Sequence, residues 1–369
     1  MKDRSLQEPV FDEMRELYAE IDERQNRPID SAVKGGVSVV TDSYRQMKKL
    51  LRIEQFVERV ASGKVLLYGD LLQAKKANHE ALKLREPEFA LLKSSTAIQL
   101  SDRLVYSPYV SAFFNACKEK GVLDQPLTDP FFPLFGMSDG SIRREGYLFD
   151  EVVRELKVLL SSAQLKTDVR VRHAAADRDF DSAIEYTNFL FDTYKKLFVI
   201  RLDIGYLVPT SPNKKPTFPE SDRQRIKDEF VRLIKQLGRK NKYPEFAGHL
   251  AKLEFGEDRG YFMHTVLLLD GRQKVNTSNW LAVVDDAWSQ KITRGKGVVY
   301  DCSPHRVRNP VFPDKGLGLV NRGTAKCRAF ERWIVGYVAK SSRYVRVNVP
   351  SRERVFFRGI IPRGWRESV

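Results

Sequence analysis

The spacing of apolar residues along the chain changes character once, and the change predicts two kinds of structure. Early on, EPVFDEMRELYAEIDERQ, DSYRQMKKLLRIEQFVERVASG and, from Leu148, LFDEVVRELKVLLSSAQL repeat apolar residues every three or four positions, with charges between. That period puts the apolar side chains on one face of an amphipathic helix. Ser31 and Asp42 suit helix starts and Gly63 a helix stop. LTDPFFPLFGMSDGS, rich in Pro, Gly and aromatic residues, predicts a packed loop. A polar stretch, VRHAAADRDFDS, then leads into a predicted helix, AIEYTNFLFDTYKKL.

From there strands enter. LFVIRLDIGYLV alternates around Arg201 and Asp203 and is rich in β-branched residues, which predicts a strand. The loop PTSPNKKPTFPESD precedes a helix, SDRQRIKDEFVRLIKQLGRK, capped by Ser221 or Asp222 and stopped at Gly238. HLAKLEF and YFMHTVLLL flank GEDRG and predict a hairpin. A helix over NTSNWLAVVDDAWSQKIT, a strand in GKGVVYDCSPHRV and a helix over AKCRAFERWIVGYVAKS complete the order. The fold class expected is α+β: a mostly helical region over 1–185, then a unit over 186–369 with a central antiparallel sheet flanked by helices.

Composition supports two domains, because 369 residues exceed one ordinary core. With 42% hydrophobic residues the chain can bury sizeable cores. No apolar run approaches the roughly 20 residues that span a bilayer, so no membrane partner is expected. The start, MKDRSLQEPVFDEM, lacks a secretory apolar region, and Cys117, Cys302 and Cys327 form no CxxC pair. A bacterial cytoplasmic location is the expectation. A formal charge of +15 points to a polyanionic partner, since neutralised phosphates release condensed counterions. From Lys340 onward, arginines including Arg343, Arg346, Arg354 and Arg358 interleave with Tyr344, Phe356, Phe357 and Trp365. Cations and aromatics on one segment suit a single nucleic-acid strand. The same alternation describes a strand with one buried face, carrying Val345, Val347 and Val349.

The hairpin carries the candidate chemistry. If Phe255 pairs with Tyr261, Glu254 lies opposite Phe262 and Lys252 opposite His264. Glu254 and His264 then share a face, diagonally adjacent and close enough to share a metal ion. His249 has the wrong parity unless a bulge intervenes. A neutral histidine in a half-buried sheet, beside a solvated glutamate, also satisfies this pattern.

RGYFMHTVLLLDG resembles the Gly-Tyr-His-x-His-hydrophobic-Asp-Gly segment of inovirus-type replication proteins and the YagK/YfjJ prophage proteins. FVIRLDIGY resembles their Arg-x-Asp-Leu first strand, and WSQKITRGKGVVYDCS their Trp and Gly-x-Gly strand leading to a Cys. YVAKSSRYVRVNVPSRERVFFRG resembles their Tyr-Leu-x-Lys-x-x-x-Tyr-x-Arg terminus. The four segments occur in order over the C-terminal half, and the N-terminal half is not covered.

That family resembles HUH-type rolling-circle replication initiators. The resemblance implies two histidines and an acidic residue holding Mg2+ or Mn2+ on the scissile phosphate of single-stranded or hairpin origin DNA. It also implies a tyrosine that attacks phosphorus, leaving a 5′-phosphotyrosine and a free 3′-hydroxyl. Here His264, Glu254 and Asp203 match the metal group. Tyr337 and Lys340 match the Tyr-x-x-Lys pattern, Tyr344 is the second nucleophile candidate, and Arg201 joins the tail arginines as a DNA contact. His305 is a lesser loop candidate. Phe262 stands where the family has its first histidine and cannot ligate a metal. Two functions are therefore expected: an origin nickase of a phage, prophage or mobile element, or an inactive HUH-like DNA-binding module. The latter regulates replication or recruits host replication factors.

Overall fold

The computed structural model describes residues 42–65, 67, 86–123, 144–208, 216–302 and 316–365. The expected helix before Ser31, Ser31 itself, the aromatic loop at 127–141 and His305 lie outside these residues. The protein is α+β, with N-terminal helices followed by a six-stranded antiparallel sheet and further helices. It divides into two compact units, one of Arg45–His173 and the other built chiefly from Ala174–Val369.

In the first unit, α1 (Asp42–Ala61), α2 (Glu86–Ser95), α3 (Pro108–Glu119) and α4 (Arg144–Ser161) surround an apolar core, with a short extended segment, β1 (Leu104–Tyr106). Ile53, Phe56, Val57 and Val60 form the α1 stripe, and Phe56 meets Phe113 edge-on at 6.0 Å. Gly63 ends α1 in the left-handed region (φ 69°), where a side chain is strained. Ser107 caps α3 by accepting from the Val110 amide at 3.1 Å, and Pro108 occupies the first turn. Arg172 donates to the Val105 and Tyr106 carbonyls at 2.9 and 2.7 Å, which satisfies extended backbone.

The polar stretch before the predicted helix at 183 is not a separate segment. Residues 171–182 lie inside α5 (Ala163–Tyr194), a continuous 32-residue helix. Alanines at 174–176 favour helix, and the stretch contains no Gly or Pro to break it. Ala176 and Ala183, both fully buried, lie seven residues apart, which puts them on one face.

In the second unit the sheet order is β5 (Gly297–Asp301), β2 (Lys196–Tyr206), β4 (Gly260–Asp270), β3 (Phe246–Gly256), β8 (Phe356–Arg358). β6 (Gly318–Asn321) pairs with the first part of β2, on the same edge that β5 takes further along. The register expected for the hairpin is the register found: Phe255 pairs with Tyr261, Glu254 with Phe262 and Lys252 with His264. One sheet face carries Ile200, Leu202, Ile204, Ala251 and Leu253, packed on Ile226, Phe230 and Leu233 of α6 (Ser221–Leu237). α6 begins after Glu220 with no side-chain cap, so neither Ser221 nor Asp222 caps it; Asp222 lies in its first turn.

The other face holds the charged residues of β2, β3 and β4. It is covered by the second half of α5 and by a helix assembled from α8 (Ala325–Ala329), a π-helical stretch (Phe330–Val335) and α9 (Gly336–Lys340). A second π-helical stretch, Asp286–Ile292, continues α7 (Thr277–Asp285). It delivers the fully buried Trp288, whose indole donates to the Gly205 carbonyl at 2.7 Å. Among the described residues no helix is long and apolar enough to cross a membrane.

The hairpin turn ends on Gly260, whose φ of 72° is left-handed and where a Cβ would run into the Phe218 ring. Gly260→Ala combines that strain with that collision and is expected to cost about 2 kcal/mol or more of unfolding free energy. Urea denaturation checks this, and an unchanged midpoint would contradict it.

Candidate functional site

Antiparallel pairing builds one continuous row across five strands: Tyr300, Asp203, His264, Lys252 and Phe356 stand opposite one another in turn. Directly paired residues point to one face, so a charged cluster assembles from residues far apart in sequence. Arg201 lies two residues before Asp203 and therefore shares that face.

At the centre His264 is fully buried, and Asp203 is 1% exposed. His264 Nδ1 meets Asp203 Oδ1 at 2.6 Å, and Arg201 Nε donates to His264 Nε2 at 2.8 Å. A guanidinium nitrogen can only donate, so Nε2 must accept; the imidazole proton then sits on Nδ1 and goes to Asp203. Burial, and next the Arg201 charge, lower the His264 pKa despite the opposing pull of Asp203 and Glu254, which agrees with a neutral ring. Arg259 reaches back from the hairpin turn to donate to Asp203 Oδ2 at 2.9 Å. Burial works to raise the Asp203 carboxyl, but the Arg259 charge, then His264 and Arg201, outweigh it and hold the group well below the usual carboxylate range.

Phe262 is 2% exposed and supports this arrangement from the side. The Arg259 guanidinium lies over its ring at 4.0 Å from the centroid, a cation–π contact. A permanent cation therefore lies between Asp203 and Phe262. Tyr337 closes the cluster from above. Its ring meets His264 edge-on at 5.0 Å, and the Arg201 guanidinium carbon is 4.5 Å from its centroid. The π-helical stretch before α9 sets this contact: each extra residue rotates the downstream helix by about 100° relative to an uninterrupted α-helix.

Asp203, His264 and Cys302 bring donor atoms within 4.8 Å of one another, a buried group that could hold a metal ion. Cys302, rather than Glu254, completes this triplet. Glu254 shares the His264 face and is partly buried. As the side chains stand, these donors are already engaged, so an ion would have to displace their present partners. Arg201 occupies the Nε2 lone pair, Asp203 is engaged by His264 and Arg259, and burial followed by the Asp203 charge pushes the Cys302 thiol well up, so that binding an ion there would release its proton.

The remaining predicted residues scatter. His249 is on the opposite face, packed 5.8 Å from the Phe230 ring; the register shift in β3 falls before it, between Phe246 and Gly248, and leaves its parity unchanged. Lys340 sits 3.9 Å over the Phe180 ring of α5, and burial, then Arg343, lower its pKa. Tyr344 follows α9 and is partly buried. Arg343 is buried and pairs with Asp177. Arg358 donates to Ser182 Oγ at 2.7 Å, while Arg346 and Arg354 are exposed. Of the tail aromatics, Phe356 is buried and Trp365 packs on Phe189 at 5.7 Å, so these two serve the fold.

Sequence reasoning gave Arg259 and Cys302 no role. Arg259 adjoins Gly260 in the hairpin motif, and Cys302 ends the strand paired with β2; neither position declares its partner by spacing. No family model, curated protein or solved structure matches the chain.

Proposed function

We propose that the protein is a replication-initiator-like DNA-binding module of a phage, prophage or other bacterial mobile element, one that grips single-stranded or hairpin origin DNA without metal-dependent nicking. The observation that carries this reading is the hydrogen bond from Arg201 Nε to His264 Nε2, which takes the lone pair a metal would need. Arg259 over Phe262 adds a second fixed cation in the same place. Two guanidiniums supply permanent positive charge at a phosphate-handling site, with no requirement for an ion. The +15 chain charge and the exposed Arg346 and Arg354 supply phosphate contacts outside it. Recruitment of host replication factors by the helical unit belongs to the same reading.

The test is incubation with single-stranded oligonucleotides and manganese, followed by denaturing electrophoresis. Binding is expected without a covalent adduct, insensitive to metal, and weakening about tenfold or more between 50 and 200 mM salt as several phosphates are released. A manganese-dependent adduct that disappears in Tyr337→Phe would overturn the reading in favour of the nickase.

One observation favours the nickase: the donor triplet Asp203, His264 and Cys302, beside Tyr337. In that reading Arg201 swings off Nε2 when an ion enters. The thiolate would shift preference from Mg2+ or Mn2+ toward softer ions such as Zn2+. Elemental analysis of purified protein, with Cys302→Ser as comparison, separates these choices.

A further inference from the structure

The charged face is rich in buried cations. Arg201, Lys252, Arg259 and Arg343 are 6%, 3%, 9% and 5% exposed, on this face or packed against it. Among the described residues Asp203 is the one carboxylate there of comparable burial; Asp177, Asp179 and Glu254 are only partly buried. Lys252 donates to the Ser341 hydroxyl, and its charge acts on the partly buried Asp179. Arg259 is paired with Asp203 and Arg343 with Asp177, yet buried cations outnumber buried carboxylates here, which favours an incoming anion. Arg201 adds a directional signal. Its Nε is used on His264, but Nη2 is buried and has no hydrogen-bond partner among the described residues. Buried donors are rarely left so, and a donor beside other cations is a ready anion contact. Tyr300, Cys302 and Glu254, each partly buried, lie on this side of the sheet.

We infer that Arg201 Nη2 is the anchor of a phosphate site on this face, donating to a non-bridging phosphate oxygen beside the Tyr337 ring. The site takes the charge of a phosphoryl group with fixed guanidinium donors, so binding needs no metal and breaks no bond. This rests on the DNA-binding reading for its biological ligand, but the phosphate chemistry is shared by a nucleic-acid backbone and a free phosphate. Arg259, held to Asp203 and Phe262, positions the carboxylate that orients His264 and through it Arg201.

The experiment compares the full chain with Arg201→Met in sodium phosphate, thymidine 5′-phosphate and a single-stranded oligonucleotide, each against chloride at equal ionic strength. Phosphate is expected to raise the unfolding temperature of the parent and compete with the oligonucleotide. Arg201→Met should lose the phosphate effect and bind the oligonucleotide about tenfold more weakly, the worth of one hydrogen bond to a charged group. Equal stabilisation of both proteins by phosphate would be a general salt effect and would overturn the inference. Equal oligonucleotide binding by both, without phosphate competition, would overturn it too while leaving DNA binding intact. Arg201-dependent phosphate binding without any oligonucleotide binding would uphold the site and refute the DNA reading. Should Arg201→Met fail to fold, the guanidinium Nε–Hε resonances of the parent decide: a saturable phosphate-induced shift supports the site, and no shift overturns it.

Discussion

Asp203→Asn is expected to lower the unfolding free energy by about 3–5 kcal/mol, the cost of leaving buried charge without its partner. The substitution keeps the shape and removes the charge. Arg259 then loses the carboxylate it contacts at 2.9 Å, and the amide cannot accept from both Arg259 and the His264 Nδ1 proton through two oxygens. Arg201, stacked on Tyr337, would be left with the partly buried Glu254 as the remaining carboxylate of the His264 face. The pH dependence has a definite sign. Asp203 has a folded-state pKa depressed below its unfolded value, so its contribution is complete above about pH 4 and is lost as pH falls toward the folded value. The gap between parent and variant should therefore be full at neutral pH and narrow in strong acid. Arg259→Met, made in the parent and in the Asp203→Asn background, should cost much less in the latter, since the two changes remove one interaction. Denaturant unfolding at pH 7 and pH 3 measures both effects; a neutral-pH loss under about 1 kcal/mol would show that Asp203 is not the counter-charge of this cluster.

How much of the fold and site is legible in the sequence depends on how far each feature rests on local periodicity. The hairpin register is legible because alternation fixes faces, and a slip of one residue would move Lys252 and His264 to the wrong side. The strand at Arg201–Asp203 is legible for the same reason. β6 and β8, four and three residues long, carry too little alternation to announce themselves. The π-helical stretches at 286–292 and 330–335 look like ordinary amphipathic helix in sequence, yet one of them precedes Tyr337 and sets the way it faces His264. At the site, His264, Asp203 and Tyr337 stand out in the sequence and lie together in the fold, whereas the way Arg201 and Arg259 engage them is not legible. A guanidinium can reach many partners, and only the pairing of β2 with β4 brings Asp203 opposite His264. That Phe262 is no ligand is legible from its side chain alone; its use as the platform for Arg259 requires the turn geometry.

Acid should destabilise the protein before its carboxylates titrate, and His249 is expected to supply a large part of that loss. It lies on the face opposite the charged cluster, 8% exposed and packed against Phe230, where burial holds its pKa down at about 4 against an ordinary 6.5. The folded protein thus binds this proton less readily than the unfolded chain. Stability is full above pH 6.5 and falls between pH 6.5 and about 4, because the unfolded state takes up the proton first. The difference between the two values is worth about 3 kcal/mol. Carboxylates with depressed values, Asp203 among them, act only at lower pH, so the upper part of the acid limb belongs to histidine. His249→Met keeps an apolar side chain of similar reach in contact with Phe230 and has no proton to bind. The hydrogen bond between Tyr186 and the His249 backbone does not depend on the side chain and survives the change. The variant should therefore lose about 3 kcal/mol less than the parent between pH 7 and pH 4 in urea titrations. Superimposable pH profiles for the two proteins would show that His249 does not titrate from a buried neutral state, and would assign the acid limb to other groups.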